Sequence, residues 1–481
     1  MNHIDAASIQ FVFFVLAVAI VSNFSRSRIW RSFVLLLASL LFIALIERNA
    51  LALLPMASFL ALGYVCLLLL RCGRSRVLPL ILTATILFYC WLKRYAFLPH
   101  SIFLQSPYFT LGLSYIFFRV LHLLIEAGDN AELRRIGLIK YALYTLNFTT
   151  FVSGPIQRYD DFARDQFASE PLPLGASEVA LQLERIIRGI FKVNVLATLL
   201  NAFQQDTLAQ TNLAFPLSLR MYAAACLIVT YPLFLYSNFS GYIDIVIALA
   251  RLMRLQLPEN FNRPFSTTSP LDFWNQWHMT LSNWFKTYVY NPLVLFLMRR
   301  VTSRSFEPFI GVLCFFVTFF LVGIWHGRTS EFIFFGLLTG GGVSVAKLWQ
   351  ITLVRRLGRK GARELAKNEF LNTINRGLSF VWFGFTLFWF WGDWKRISSV
   401  VASLNAMEWA LPLLGAWMAV TVVLGIWEWL RSRLLSFRTA DSPVFTNRYA
   451  RVIYASAMGL ATILITLSLN QAAPEIVYKA F

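Results

Sequence analysis

Acidic side chains are scarce in this sequence. Only 24 Asp and Glu stand against 43 Lys and Arg, and all charged residues together make up 14% of the chain. A soluble globule of 481 residues needs a more polar surface than that, so the shortage excludes that class. Cysteine is scarce too. Cys66, Cys72, Cys90, Cys226 and Cys314 lie mostly in apolar runs and never in Cys-x-x-Cys spacing. They read as reduced packing residues with no disulfide or metal framework, and only Cys72, in a basic juxtamembrane loop, stands apart. There is no P-loop, no Rossmann glycine pattern and no zinc motif. The glycine cluster at 340–343 lies in an apolar run, where it permits close helix packing. Without a Gly-x-Ser-x-Gly elbow or serine triad, a covalent serine route is disfavoured.

What fills the chain instead is apolar, at 58% of residues. Runs of about 15–22 such residues recur from end to end, each the length of a membrane-crossing helix. In lipid the backbone must satisfy its own hydrogen bonds, and at these run lengths only the helix does so. The expected fold is all-α and polytopic, with about 11–13 transmembrane helices plus re-entrant or interfacial ones. The runs include 9–23, 107–125, 139–153, 216–236 and 241–257, with GPIQRYDDF at 154–162 a candidate re-entrant stretch. Residues 1–481 read as one integral membrane domain. Within it, 355–375 form a polar cytoplasmic segment and 376–481 a set of C-terminal membrane helices.

Basic residues give the orientation, because Lys and Arg stay on the cytoplasmic side. No Lys or Arg precedes the first apolar run, while Arg26, Arg28 and Arg31 follow it, so the N-terminus is expected outside on an uncleaved helix. Arg71, Arg74 and Arg76 return to the cytoplasmic side. So do Arg299, Arg300 and Arg304, and then Arg355, Arg356, Arg359, Lys360 and Arg363 after a helix pair. The turn joining that pair, which holds His326, is then external. The net charge of +19 suits contact with anionic lipid headgroups and would attract an anionic donor. Scattered over loops, it does not describe a nucleic-acid surface.

Two of the five histidines occupy matching settings. Wound as one helix, 271–293 puts Trp274, Trp277, His278, Leu281, Trp284, Phe285 and Tyr288 within an arc of about 120°. Asn275, Gln276 and Lys286 fall on the opposite side. His278 is thus expected on the inward face, where a polar ring must find hydrogen bonds. His326 closes the apolar run 309–327, and an ionisable residue at such a place is a functional candidate. Each alone has a plainer reading, as a satisfied core residue or as an interfacial anchor.

The ordered stretches YSNFSGYIDIVIALARLM (236–253), NFNRPF (260–265), FWNQWHMTLSNWFKTYVYNPL (273–293) and GIWHGRTSEFIFFGLL (323–338) resemble the membrane-bound O-acyltransferase family. The likeness is to its bacterial alginate O-acetylation and teichoic acid D-alanylation branch. Upstream, LGLSYIFFRVLHLLIEAG (111–128), FVSGPIQRYDDF (151–162) and RGIFKVNVLATLL (188–200) follow in the same order, outlining a catalytic core over 111–340. Lys286-Thr287, Asn238 and Leu338-Thr339-Gly340 depart from the branch's usual Arg-Asp, Asp and Tyr-His-Gly. The resemblance implies His326 as the essential histidine and His278 as its companion, one acting as base and the other orienting substrate or donating to developing charge.

Asn238, Asp244, Trp274, Asn275, Gln276, Trp277, Trp325, Arg158 and Lys192 form a second tier, to hold donor or acceptor, to line an acyl path, or to bond helix to helix. Asp244 is a candidate to pair with a buried base. The implied donor is acetyl-CoA or another acyl thioester, with no bound cofactor and no metal. The implied acceptor is an exported or cell-wall polysaccharide, served through a separate extracytoplasmic acetyltransferase across a bacterial inner membrane. D-alanyl transfer to teichoic acid from a carrier protein is the nearest alternative. A non-catalytic transporter, flippase or export scaffold is another, since paired polar residues in a bundle also mark transport pathways.

Overall fold

The computed structural model describes residues 9–71, 75–106, 108–301, 303, 305–434, 447–469 and 473–475. Cys72, Arg74, Arg304, the amino-terminal residues before 9 and most of the polar interval 431–451 lie outside the described residues. Among those described there is no strand, and one isolated bridge joins Phe261 to Trp277. Eight helices among the described residues are long and apolar enough to cross a membrane. They are Arg28–Ile46, Ala50–Arg71, Ala176–Ala209, Leu217–Leu252, Glu307–His326, Ser330–Leu365, Ala410–Arg433 and Arg448–Leu469, beside the shorter apolar helices Gln10–Ser22 and Leu78–Leu92. Leu411, Met418, Val422 and Val423 on one of these, and Val452, Ile453 and Leu467 on another, are exposed. That display costs about 25 cal/mol per Å² in water and nothing against lipid tails. The chain is a multi-pass membrane protein.

Two sequence expectations change. The runs 216–236 and 241–257 form one helix, Leu217–Leu252, which carries Pro232 in its interior and continues through Ser237, Asn238, Phe239 and Ser240. The runs 107–125 and 139–153 give shorter helices, Leu113–Asp129 and Leu138–Thr145. The chain folds as two units with interleaved sequence. One comprises Met1–Val195, Asn238–Glu259 and Asn447–Phe481, the other Leu196–Ser237 and Asn260–Thr446.

In the first unit, the stretch after Leu138–Thr145 leaves the helix, and the carbonyls it releases are buried. Arg119 takes them up. Its guanidinium, itself 4% exposed, donates to the carbonyls of Tyr144 at 3.1 Å, Thr145 at 2.8 Å and Thr150 at 2.7 Å. Irregular backbone inside a membrane protein persists only where protein groups satisfy it in this way. Gly112, at φ +77, starts the Leu113–Asp129 helix hard against Phe151, where a Cβ would stand 2.8 Å from the Phe151 carbonyl.

In the second unit, Glu307–His326 and Ser330–Leu365 form a hairpin whose backbones nearly touch. A Cβ on Gly336 would lie 2.6 Å from the Phe320 carbonyl oxygen, and one on Gly340 2.8 Å from that of Phe316. Neither carbonyl can swing aside without breaking its helix. Gly336→Ala is therefore expected to destabilise by about 1–3 kcal/mol, as overpacking does. It would appear as a lower thermal midpoint in detergent. Gly341→Ala, with no atom within 4 Å of its Cβ, should hold the midpoint or raise it slightly. Beyond the hairpin, Gly358 at φ +68 breaks the long helix inside the polar segment, and Asn368 caps the next, Glu369–Thr386.

Candidate active site

The segment from 271 to 293 is not one helix. Ser269 caps a single turn, Pro270–Phe273, by accepting the Asp272 amide at 3.1 Å. The chain then turns outward, and 276–279 pair with 260–262. The Asn262 amide donates to the Gln276 carbonyl at 3.0 Å, the Met279 amide to the Asn260 carbonyl at 2.9 Å, and Phe261 bridges Trp277. Only at Met279–Phe285 does the helix resume. The expected wheel fails here because backbone groups at 276 and 279 find partners on another segment and no longer need helical ones.

His278 sits at the break, with φ +44 and ψ +51, in the left-handed region that non-glycine residues seldom occupy. It is fully buried, and His326, closing its long helix, is 1% exposed. The two rings lie 6.4 Å apart between centroids at 43°. Trp325 packs on His326 at 4.9 Å and stands 6.4 Å from His278. Phe390 and Phe335 close the other sides of His326 at 5.3 Å and 5.9 Å. Gly327, which follows, has no room for a side chain beside the Phe332 ring. Two imidazoles thus converge in an aromatic enclosure.

The second-tier residues divide. Trp277, 1% exposed, is the centre of an aromatic cluster, stacked on Phe273 at 5.5 Å and edge-on to Phe261 at 5.1 Å, with Phe383 at 5.0 Å. Trp274 packs on Phe319 at 5.3 Å. Both fill the core of the second unit. Asn275 is exposed, and Gln276, with its amide turned to satisfy both ends, donates to the Arg263 carbonyl at 3.0 Å.

The other four lie in the first unit. Asp244 accepts from Lys192 at 2.8 Å and from Arg185 at 2.9 Å, with Arg188 at 3.5 Å, and Arg185 also grips Glu259 through both oxygens. The partners of Asp244 are thus cations, where a buried base was the candidate. Lys192 also reaches Ser240 at 3.3 Å. Asn238, fully buried, donates to the carbonyls of Pro474 and Glu475 at 3.4 and 3.3 Å. Arg158, half-exposed, pairs with Glu126 at 2.8 Å.

Asn260, Thr280, Phe335 and Phe390 around the histidines, and Arg185, Arg188 and Glu259 around Asp244, were not singled out by the sequence. The spacing of Arg185, Arg188 and Lys192 along one face of a helix is a signal that could have found the second group. For the first there is none, since Asn260 and Thr280 meet only through the pairing of 260–262 with 276–280, and Phe335 and Phe390 reach His326 only through packing in the folded chain.

A multi-pass helical protein with two buried histidines converging beside a membrane-length hairpin defines a class, and the comparisons with known proteins give it a family. Residues 75–375 match the model of the membrane-bound O-acyltransferase family, to which this chain belongs. It is 31% identical over 229 residues to the teichoic acid D-alanyltransferase of Bacillus subtilis (strain 168), covering 47% of this chain and 56% of that one. It is 26% identical over 359 residues to the probable alginate O-acetylase AlgI of Azotobacter vinelandii, covering 73% and 67%. The peptidoglycan O-acetyltransferase of Helicobacter pylori (strain ATCC 700392 / 26695) is 30% identical over 211 residues, covering 44% and 38%. The chain thus spans little more than half the length of the Bacillus relative.

Proposed function

We propose that this chain is an O-acyltransferase. It takes an acyl group, acetyl in the first instance, from a cytoplasmic thioester and passes it across the inner membrane toward the hydroxyls of an exported or cell-wall polysaccharide. The observation that carries the reading is the meeting of His278 and His326, at 6.4 Å within aromatic walls. Acyl transfer needs a base, a donor for the developing oxyanion and the exclusion of water. In the assigned roles, the His326 imidazole takes the proton of the acceptor hydroxyl as its oxygen attacks the thioester carbonyl. The new C–O bond forms, and His278 donates to the oxyanion. The C–S bond then breaks, the carbonyl is restored, and His326 returns its proton to the departing thiolate as a free thiol. The aromatic enclosure favours the acceptor hydroxyl over water.

Teichoic acid, alginate and peptidoglycan, the polymers in the names of the three relatives, all offer hydroxyls. The identity to a D-alanyltransferase favours a second donor reading, D-alanyl from a carrier protein. The chain's external side, with the N-terminus on it, would face a separate transferase that completes the modification. Purified protein in liposomes, with the extracytoplasmic transferase supplied and given radiolabelled acetyl-CoA or a D-alanyl-loaded carrier with a soluble polysaccharide acceptor, tests these together. Label in the ester fraction from acetyl-CoA supports the acetyl reading, and label from the carrier alone moves the donor to D-alanyl. No ester from either donor, with acylated polymer still crossing the bilayer, would make the protein a transporter.

A further inference from the structure

We infer that Asn260, acting with Thr280, is the positioning residue that holds His278 in its left-handed conformation and keeps its ring facing His326. The inference rests on the acyltransferase reading for its effect on turnover, but the geometry behind it stands by itself. A histidine at φ +44 is strained and persists only where its surroundings over-determine it.

His278 is the N-cap of the Met279–Phe285 helix, and its side chain makes no capping bond. The amides of the first helical residues must then be satisfied from elsewhere, or the buried helix start loses its donors' partners. Asn260 supplies both. Its carbonyl accepts the Met279 amide at 2.9 Å, and its Oδ1 accepts the Thr280 amide at 3.2 Å and the Thr280 hydroxyl at 2.6 Å. Three bonds from one fully buried residue therefore grip the two positions that follow His278. The position before it is held by the Phe261–Trp277 bridge and the bond from the Asn262 amide to the Gln276 carbonyl. A capping task that usually falls to the N-cap side chain has been handed to another segment. The imidazole is thereby released from capping and turned instead toward His326. Asn260 need not touch the substrate to matter, because a displacement of about 1 Å in a catalytic group can lower turnover by about 10²-fold.

The test uses the full-length protein in liposomes with acetyl-CoA and a polysaccharide acceptor, comparing Asn260→Ala, Thr280→Val and Thr280→Ser. Asn260→Ala removes the side-chain acceptor, Thr280→Val removes one donor at nearly constant volume, and Thr280→Ser keeps it. The expected result is a fall in kcat of about tenfold or more for Asn260→Ala and Thr280→Val, with the KM for acetyl-CoA unchanged within about twofold. Thr280→Ser should recover most of the turnover. A structural role alone would reduce the yield of folded protein and leave kcat per folded molecule intact.

Wild-type kcat in both deficient variants, or a Thr280→Ser variant as slow as Thr280→Val, would overturn the inference. Should Asn260→Ala not fold, the Thr280 pair decides. If the wild-type protein transfers no acyl group, the acyltransferase reading fails and the geometry is tested directly. A cryo-EM map of Thr280→Val that keeps His278 left-handed and the rings 6.4 Å apart overturns the positioning role, and a ring that has swung away supports it.

Discussion

Replacing His326 with alanine is expected to lower acyl transfer from acetyl-CoA by about 10²–10⁴-fold, the usual worth of a general base. The fold should survive the change. Phe335 and Phe390 already pack on each other at 5.2 Å, and Phe332 lies 5.7 Å from Phe390, so the enclosure does not depend on the imidazole to close. His326→Ala removes the proton acceptor and leaves the aromatic walls. His278→Ala takes away a donor to the oxyanion, and in the assigned roles should cost less. Initial rates with radiolabelled donor, divided by the folded fraction from size-exclusion chromatography, make the comparison. A larger loss at His278 than at His326 would exchange their roles. Turnover within a few-fold of wild type in the His326 variant would take it out of the mechanism.

That both histidines could be found from the sequence, while the shape around one of them could not, has a physical cause. Helical periodicity is local. Beyond the break it held, with Leu281, Trp284 and Phe285 buried and Asn283 and Lys286 exposed, as the wheel required. Even His278, Trp274 and Trp277 are buried as expected, though not on a common helical face. What the wheel could not contain was a partner on another segment. The bonds from Asn260 and Asn262 to the 276–280 stretch join residues well separated along the chain, and no periodic pattern in 271–293 announces them. The Leu217–Leu252 helix failed for the opposite reason. Its polar residues Ser237, Asn238 and Ser240 interrupt the apolar pattern between 216–236 and 241–257, yet each is buried. Small polar residues in a buried helix find partners without leaving it. Arg119 is a third case. Nothing in its apolar run distinguishes it, and its task is visible only beside the carbonyls released near residue 145.

Asp244 is where the largest loss of stability should fall. Arg185, Arg188 and Lys192 share it, and Glu259 also pairs with Arg185. The side chains of Asp244 and its three cations are 10% to 24% exposed, so water screens the cluster weakly. Asp244→Ala would leave Arg188 and Lys192 without their anion in that setting, and breaking a buried pair from one side costs about 3–5 kcal/mol. The expected result is a marked fall in the thermal midpoint of the purified protein. Lys192→Met should do far less, since Asp244 keeps two arginines, and combining the two changes should cost less than their sum. The backbones allow no easy escape, for a Cβ on Gly189 would lie 2.6 Å from the Gly241 carbonyl. If Asp244→Ala melts like the wild type but turns over slowly, the carboxylate serves the substrate and the ion pairs are incidental. A protein that melts early, with normal turnover per folded molecule, fixes Asp244 as the clasp between the helix carrying Arg185 and Lys192 and the one that carries Ser240.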